Sequence, residues 1–186
     1  MEALWILLAI IVLNVLLVIM LYNRLVSGRN QIENAWGQID VQLKRRHDLI
    51  PNLVETVKDY MSYEQETLQQ VIAARSRAMG TAGGPREATM EAEGALSAAL
   101  GRFFAVAEAY PQLKANENVA RLMEELSSTE NRIAFARQHY NDSVQSQNTA
   151  VESFPSNLIA KSFRFTKHVY FEVPETEKAP VKVDLR

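Results

Sequence analysis

Cysteine is absent from this chain of 186 residues. Without a thiol the chain forms no disulfide, no thiolate metal site, no cysteine nucleophile and no lipid-modified cysteine of the bacterial lipoprotein type. An excess of charge of one sign is missing too, since 20 Lys and Arg residues face 22 Asp and Glu residues. This near balance argues against a nucleic-acid binder, which carries a basic patch or stripe.

Catalytic and metal-binding motifs are missing as well. The three histidines lie at positions 47, 139 and 168 and form neither H-E-x-x-H nor the E-x-x-H pair of di-iron bundles. His47 and Asp48 point about 100° apart on a helix, so we expect His47 to be a solvated surface residue. The glycines between 80 and 84 lack Walker spacing, and no G-x-S-x-G elbow occurs. The sequence predicts no enzymatic activity, no cofactor and no metal.

What is present is one long hydrophobic run. Residues 3–22 are apolar except for Asn14. As a helix they span roughly 30 Å, the thickness of a bilayer core, with Trp5 and Tyr22 near the two interfaces. A cleavable signal peptide fits less well, because no Lys or Arg precedes the run and no small-x-small site follows it. We therefore predict a retained signal-anchor. Asn14 is either an interhelical hydrogen-bonding residue in an oligomer or a tolerated polar residue.

The charges that flank this run predict its direction. Only Glu2 precedes it, whereas Arg24 and Arg29 follow closely and three more basic residues occupy 44–46. The positive-inside rule then places the amino terminus outside and the rest of the chain in the cytoplasm. We expect a single-pass protein of the cell (inner or plasma) membrane.

After the run, helix breakers are few and clustered at 80–85, at Pro111 and at 154–157. Between them the apolar residues recur with a helical, coiled-coil-like period. The seam of the first helix steps by four and three residues: Ile32, Trp36, Ile39, Leu43, Arg46, Ile50, Leu53, Val57 and Tyr60. We expect this helix to kink at Pro51 and reach about Met79, a second helix over 88–110, a third over 112–154 and a short fourth over 156–163.

These elements predict an all-α fold, in which a transmembrane helix continues into an elongated antiparallel up-down helical bundle. The predicted organisation is a short external terminus (1–2), a transmembrane helix (3–22), a cytoplasmic bundle (23–154), and a short helix with an extended tail (155–186). The tail is rich in β-formers. It lies on the bundle, stays loose or pairs with another chain; we favour pairing, and its candidate oligomer or partner contacts are Val169, Phe171, Val173, Val181 and Val183.

Four charged residues on or beside the seams form a candidate interhelical network: Asp40, Arg46, Glu130 and Arg137. One hypothesis makes this network a site for a polar ligand or partner. The other makes it a set of paired charges that fixes helix register, because buried charge survives only when it is partnered. We favour the second hypothesis.

Several stretches of the chain match the motifs of one known family. They are AWGQIDVQLKRR at 35–46, DLIPNLV at 48–54, and the shorter stretches 22–26, 29–30, 108–111, 113–116, 129–131, 136–137, 140–142 and 154–157. With these stretches the chain resembles the LemA family of membrane-anchored bacterial proteins. The resemblance implies an amino-terminal anchor and a long antiparallel bundle. It supplies no activity, substrate or cofactor, and it makes membrane organisation a candidate role.

Together these observations predict a non-enzymatic scaffold or adaptor in the lipid bilayer. We expect it to be a homo-oligomer with a protein partner in the membrane and no nucleic-acid partner, and to organise or remodel membrane. The alternative is a membrane-tethered ligand-binding or signalling module that uses the polar interhelical residues. A deep pocket lined by Asp40, Arg46 or Glu130 favours the alternative, and a dry bundle favours the scaffold.

Overall fold

A computed structural model describes residues 1–171, apart from the side chain of Lys114. Over these residues the fold is all-α, as predicted, and no strand occurs in them. The helices within this range are α1 (Glu2–Val57), α2 (Gln65–Gly80), α3 (Arg86–Ala107), α4 (Pro111–Ala115), α5 (Glu117–Glu152) and α6 (Ser156–Ser162).

The apolar run and the first polar helix form one continuous helix, α1. Pro51 lies inside this helix and does not end it, so the seam keeps its register to Val57. The seam residues Ile39, Ile50 and Leu53 are fully buried, as their spacing predicts.

The first helix does not reach Met79, which corrects the expectation from the seam. It ends at Val57, and the next helix begins only at Gln65. Residues 58–64 contain neither Gly nor Pro, so the turn carries no breaker signal. The reversal is required because Leu68 and Val71 of α2 share one apolar core with Ile50 and Leu53.

The predicted helix over 112–154 is divided at Asn116, a break that the apolar pattern does not reveal. Asn116 has extended backbone angles, and its side-chain Oδ1 accepts hydrogen bonds from the backbone N–H groups of Asn118 and Val119 at 3.0 and 3.3 Å. Asn at this position satisfies amide donors that the first turn of α5 would otherwise leave unpaired. The cap therefore starts a new helix at Glu117.

The described residues form two compact units. The bundle unit contains residues 39–135 together with Phe171, and the N-terminal unit contains residues 1–38 and 136–170. Each unit contains part of α1 and part of α5, since both helices cross the boundary in sequence.

The bundle unit has up-down-up-down topology. At one end, the Tyr110 hydroxyl donates to Glu64 Oε1 at 3.0 Å, and Asn116 Nδ2 donates to the Tyr60 hydroxyl at 3.1 Å. Towards the other end, Arg75 of α2 donates to the backbone carbonyl of His47 at 2.8 Å. Successive helices therefore run antiparallel around a core in which Leu96, Phe103 and Leu126 also lie.

In the N-terminal unit, α5 packs antiparallel to α1. The Trp36 and Tyr140 rings lie 5.4 Å apart, and Gln147 Nε2 donates to the backbone carbonyl of Leu25 at 3.1 Å. Helix α6 adds Ala160 to a small apolar cluster with Leu25 and Ala150. Here α1 is covered only beyond the apolar run, whose residues before Leu21 are exposed.

A buried interhelical charge cluster as the candidate site

Arg46 occupies a core position of the bundle unit, where its side chain is 0% exposed. The seam forces it there, because positions 43, 46 and 50 share one face of α1. Its Nη1 lies 2.5 Å from Glu130 Oε1 of α5 and donates to Ser97 Oγ of α3 at 2.7 Å. Its Nη2 pairs with the Glu93 carboxylate of α3. One guanidinium thus links α1, α3 and α5.

Glu93 and His47 extend the cluster towards α2. Glu93 is 3% exposed, and its Oε1 lies 2.9 Å from His47 Nε2. Burial by itself raises the pKa of Glu93, but the hydrogen bond from His47 and the positive charge of Arg46 outweigh it and hold the pKa below its ordinary value of 4.5. Glu93 is therefore ionised in the folded protein at neutral pH.

Ser97 adds a second link between Arg46 and Glu130. Its hydroxyl donates to Glu130 Oε2 at 3.1 Å while accepting from Arg46. The cluster thus holds two carboxylates, one guanidinium and one imidazole. Such a set of charges suits a buried position because each ion has a counter-ion or a hydrogen-bonding partner.

The structure brings two of the four predicted network residues together, Arg46 and Glu130. Asp40 is exposed as a residue. Partial loss of water around its carboxyl and the negative charge of nearby Glu93 raise its pKa, and the positive charge of Arg86 partly offsets them. Arg137 is half-buried and belongs to the N-terminal unit, not to the unit that holds the cluster.

Sequence reasoning missed Glu93, Ser97 and His47. The expectation of a solvated His47 is wrong: the residue is 9% exposed, because α2 and α3 both pack beside this face of α1. The only hint for Glu93 and Ser97 is that each directly follows an apolar residue of the α3 stripe, Ala92 or Leu96, and this position alone does not decide which side they face. In residues 1–171 no group of three or more potential ligands is placed to hold a metal ion.

The predicted anchor residues lie in the N-terminal unit. Trp5 is 68% exposed, and the Asn14 side-chain amide donates to the backbone carbonyl of Ile10 at 2.9 Å, within its own helix. The rings of Tyr22 and Phe163 lie 4.8 Å apart and are tilted by 58°. Arg24 is exposed, and the Arg29 guanidinium lies 5.6 Å from the centre of the Phe165 ring.

The tail is described as far as Phe171, and residues 165–171 form neither helix nor strand. Asn148 exchanges two hydrogen bonds of 2.9 Å with the backbone of His168, and the Tyr140 hydroxyl donates to the Val169 carbonyl at 3.0 Å. Val169 is 52% exposed, whereas Phe171 is 2% exposed within its own chain. The other predicted contact residues, Val173, Val181 and Val183, lie outside the described residues.

Comparisons with known proteins agree with the family resemblance that the sequence motifs indicate. The model of the LemA family matches residues 35–185, which include all of the bundle unit. Magnetosome protein MamQ of Magnetospirillum gryphiswaldense is 26% identical over 187 residues, covering 88% of this chain and 69% of that protein. Protein LemA of Metamycoplasma hominis is 25% identical over 159 residues, covering 86% of this chain and 72% of that protein.

Proposed function

Because the chain belongs to the LemA family, we propose that it is a membrane-anchored, non-enzymatic scaffold that crosses the membrane once. In this proposal residues 3–22 of α1 cross the inner membrane, and the bundle faces the cytoplasm. The bundle assembles with further copies, contacts a protein partner in the membrane and organises the bilayer around it.

The change of exposure along α1 carries this proposal. Leu13 and Met20 are 67% and 66% exposed, whereas Leu25 and Ile32, on the same helix, are fully buried against protein. In water, a continuous apolar surface of that size promotes aggregation, whereas a lipid bilayer accepts it. The helix is long and apolar enough to cross a membrane by length and composition. The exposure pattern supports a helix that passes from lipid into protein packing.

The charge distribution supports the proposed orientation. Arg24 and Arg29 are exposed just beyond the apolar run, and basic residues that flank a membrane span favour the cytoplasmic side. Protease treatment of sealed vesicles of known orientation tests this directly. We expect the bundle to be digested in inside-out vesicles and protected in right-side-out vesicles. Digestion of the bundle only from the outer face contradicts the orientation.

The charge cluster supports a structural role. Arg46 is fully buried, and both of its terminal nitrogens already contact carboxylates of the same chain. A ligand-binding module at Asp40, Arg46 and Glu130 would require a ligand to displace these partners, at the cost of breaking a buried ion pair. The names of the matched relatives state no enzymatic activity either.

Exposed apolar side chains of the bundle unit support assembly with other chains. Ile72 and Met79 lie seven residues apart, on one face of α2, and are 47% and 46% exposed. Light scattering of the full chain in a mild detergent tests the homo-oligomer. We expect a protein mass that is a multiple of 21.0 kDa. A monomer at high protein concentration contradicts the homo-oligomer and leaves the proposal of a membrane anchor unchanged.

Reconstitution into vesicles tests the membrane-organising part separately. We expect the full chain to change vesicle shape in electron micrographs, compared with vesicles that lack protein. Unchanged vesicles at high protein density contradict this part of the proposal.

A further inference from the structure

Three large apolar side chains are exposed around helix α6. Phe154, Leu158 and Phe163 are 80%, 58% and 55% exposed, and we call them the α6 surface. They fall within a stretch of ten residues and lie in the turn between α5 and α6, on α6 and directly after it. Single exposed apolar residues are ordinary, but three large ones concentrated in one short segment indicate an interaction site.

The position of this segment along α1 follows from the pairing of the two long helices. Tyr140 faces Trp36, and Gln147 contacts Gly28. Because α1 and α5 are antiparallel, the residue numbers of each facing pair add to about the same value. Extending this register by seven residues from Gln147 brings Phe154 to the level of residue 21. Phe163 contacts Tyr22 itself, with ring centres 4.8 Å apart. The α6 surface therefore lies where the apolar run ends.

The charges of the same segment are all of one sign. Residues 153–167 include Lys161, Arg164 and Lys167 and no Asp or Glu. Lys167 pairs with Glu152 at 2.7 Å, whereas Lys161 and Arg164 are exposed close to the apolar residues in sequence. Exposed aromatic and aliphatic side chains beside basic residues are typical of segments that lie in the interface of an anionic bilayer.

We infer that the α6 surface binds anionic phospholipid, by inserting into the headgroup region of the leaflet from which α1 emerges. This inference rests on the proposed membrane span of α1. Phe154, Leu158 and Phe163 occupy the boundary between headgroups and acyl chains, while Lys161 and Arg164 contact lipid phosphates. A second copy of the chain is the weaker occupant, because two α6 surfaces face to face bring like charges together.

The chain contains no cysteine, so a single introduced cysteine carries a nitroxide label at one defined place. Ser162 is exposed and follows Leu158 by four residues, which places it on the same side of the segment without replacing an apolar residue. The full chain with Ser162→Cys is labelled and reconstituted into vesicles of phosphatidylcholine and phosphatidylglycerol. Paramagnetic relaxation by oxygen, which partitions into lipid, and by a water-soluble nickel chelate then reports depth.

Two further labelled chains serve as references. Val12→Cys lies within the apolar run, and Tyr63→Cys replaces a residue of the bundle unit that is 93% exposed. We expect the label at 162 to lie roughly 5–10 Å below the headgroup surface, between a deep label at 12 and an aqueous label at 63. Adding Phe154→Ser and Leu158→Ser should return the label at 162 to water, whereas Phe135→Ser, which removes another exposed aromatic residue, should leave its depth unchanged.

The results separate this inference from the proposed function. An aqueous label at 162 with a lipid-buried label at 12 overturns the inference and leaves the membrane span intact. An aqueous label at 12 contradicts the proposed membrane span of α1 and therefore also the inference that rests on it. A label at 162 that is shielded from both oxygen and nickel means that protein covers the surface, which also overturns lipid binding.

Discussion

Replacing Arg46 by methionine removes the one guanidinium that links α1, α3 and α5. Glu93 is 3% exposed, and after the substitution His47 is its remaining close partner. Glu130 is affected less, because its side chain is partly exposed to water. Removing one partner of a buried ion pair costs about 3–5 kcal/mol, because the other charge stays buried. Since a domain of this size is stable by about 5–15 kcal/mol, we expect a large loss of the free energy of unfolding.

The same loss should depend on pH in a direction that the structure fixes. In the wild type the pKa of Glu93 lies below 4.5, so its contribution to stability is present above that value and disappears as the pH falls through the folded-state pKa. Without Arg46 the ionised Glu93 loses much of its stabilisation. The loss of unfolding free energy caused by Arg46→Met should therefore be largest near neutral pH. It should become smaller under acid conditions, where Glu93 is protonated in the folded and in the unfolded state.

Urea unfolding of the full chain in detergent, followed by circular dichroism, measures both effects. The double variant Arg46→Met with Glu93→Gln serves as the matched control, since it also removes the buried negative charge that the single variant leaves without its arginine counter-ion. We expect the double variant to be more stable than Arg46→Met at pH 7. A loss below about 1 kcal/mol for Arg46→Met, the size expected of an exposed pair, refutes the reasoning, and so does a deficit that does not change with pH.

Two further substitutions test the packing of the N-terminal unit. A Cβ on Gly28 would displace the end of the buried Gln147 side chain, which donates to the Leu25 carbonyl; losing that buried hydrogen bond costs about 1–3 kcal/mol. Gly37→Ala, with no atom near the added Cβ, should stabilise by up to about 1 kcal/mol, so Gly28→Ala should be the less stable variant. Equal melting temperatures of the two variants contradict this. Asn148→Ala removes two hydrogen bonds to His168 and should speed amide exchange there about tenfold, compared with Gln145→Ala on the exposed side; unchanged exchange contradicts it.

The fold was largely predictable because its seams are strongly periodic. The four-three spacing of Ile39, Leu43, Arg46, Ile50 and Leu53 determines which face of α1 is buried, and the structure buries that face. The end of α1 was not predictable in the same way. A seam describes one face of a helix, and it continues unchanged through a reversal when no Gly or Pro marks the turn.

The charge cluster was only half predictable for a related reason. Arg46 and Glu130 are visible because each interrupts or borders a clear apolar stripe. Glu93 lies on α3, where alanines are frequent and the buried face is broad, so its own sequence does not decide which side it faces. Its burial is decided by α1, since Arg46 and His47 both reach it from there.

Amine-reactive crosslinking in native membranes tests the scaffold most directly. Lys44, Lys58 and Lys167 are exposed and supply reactive amines in both units. The account predicts crosslinked species at multiples of the 21.0 kDa chain, in which mass spectrometry identifies peptides from two copies. It also predicts species that join the chain to another membrane protein. A chain that stays at 21.0 kDa at every crosslinker concentration, with only intramolecular crosslinks, contradicts the scaffold.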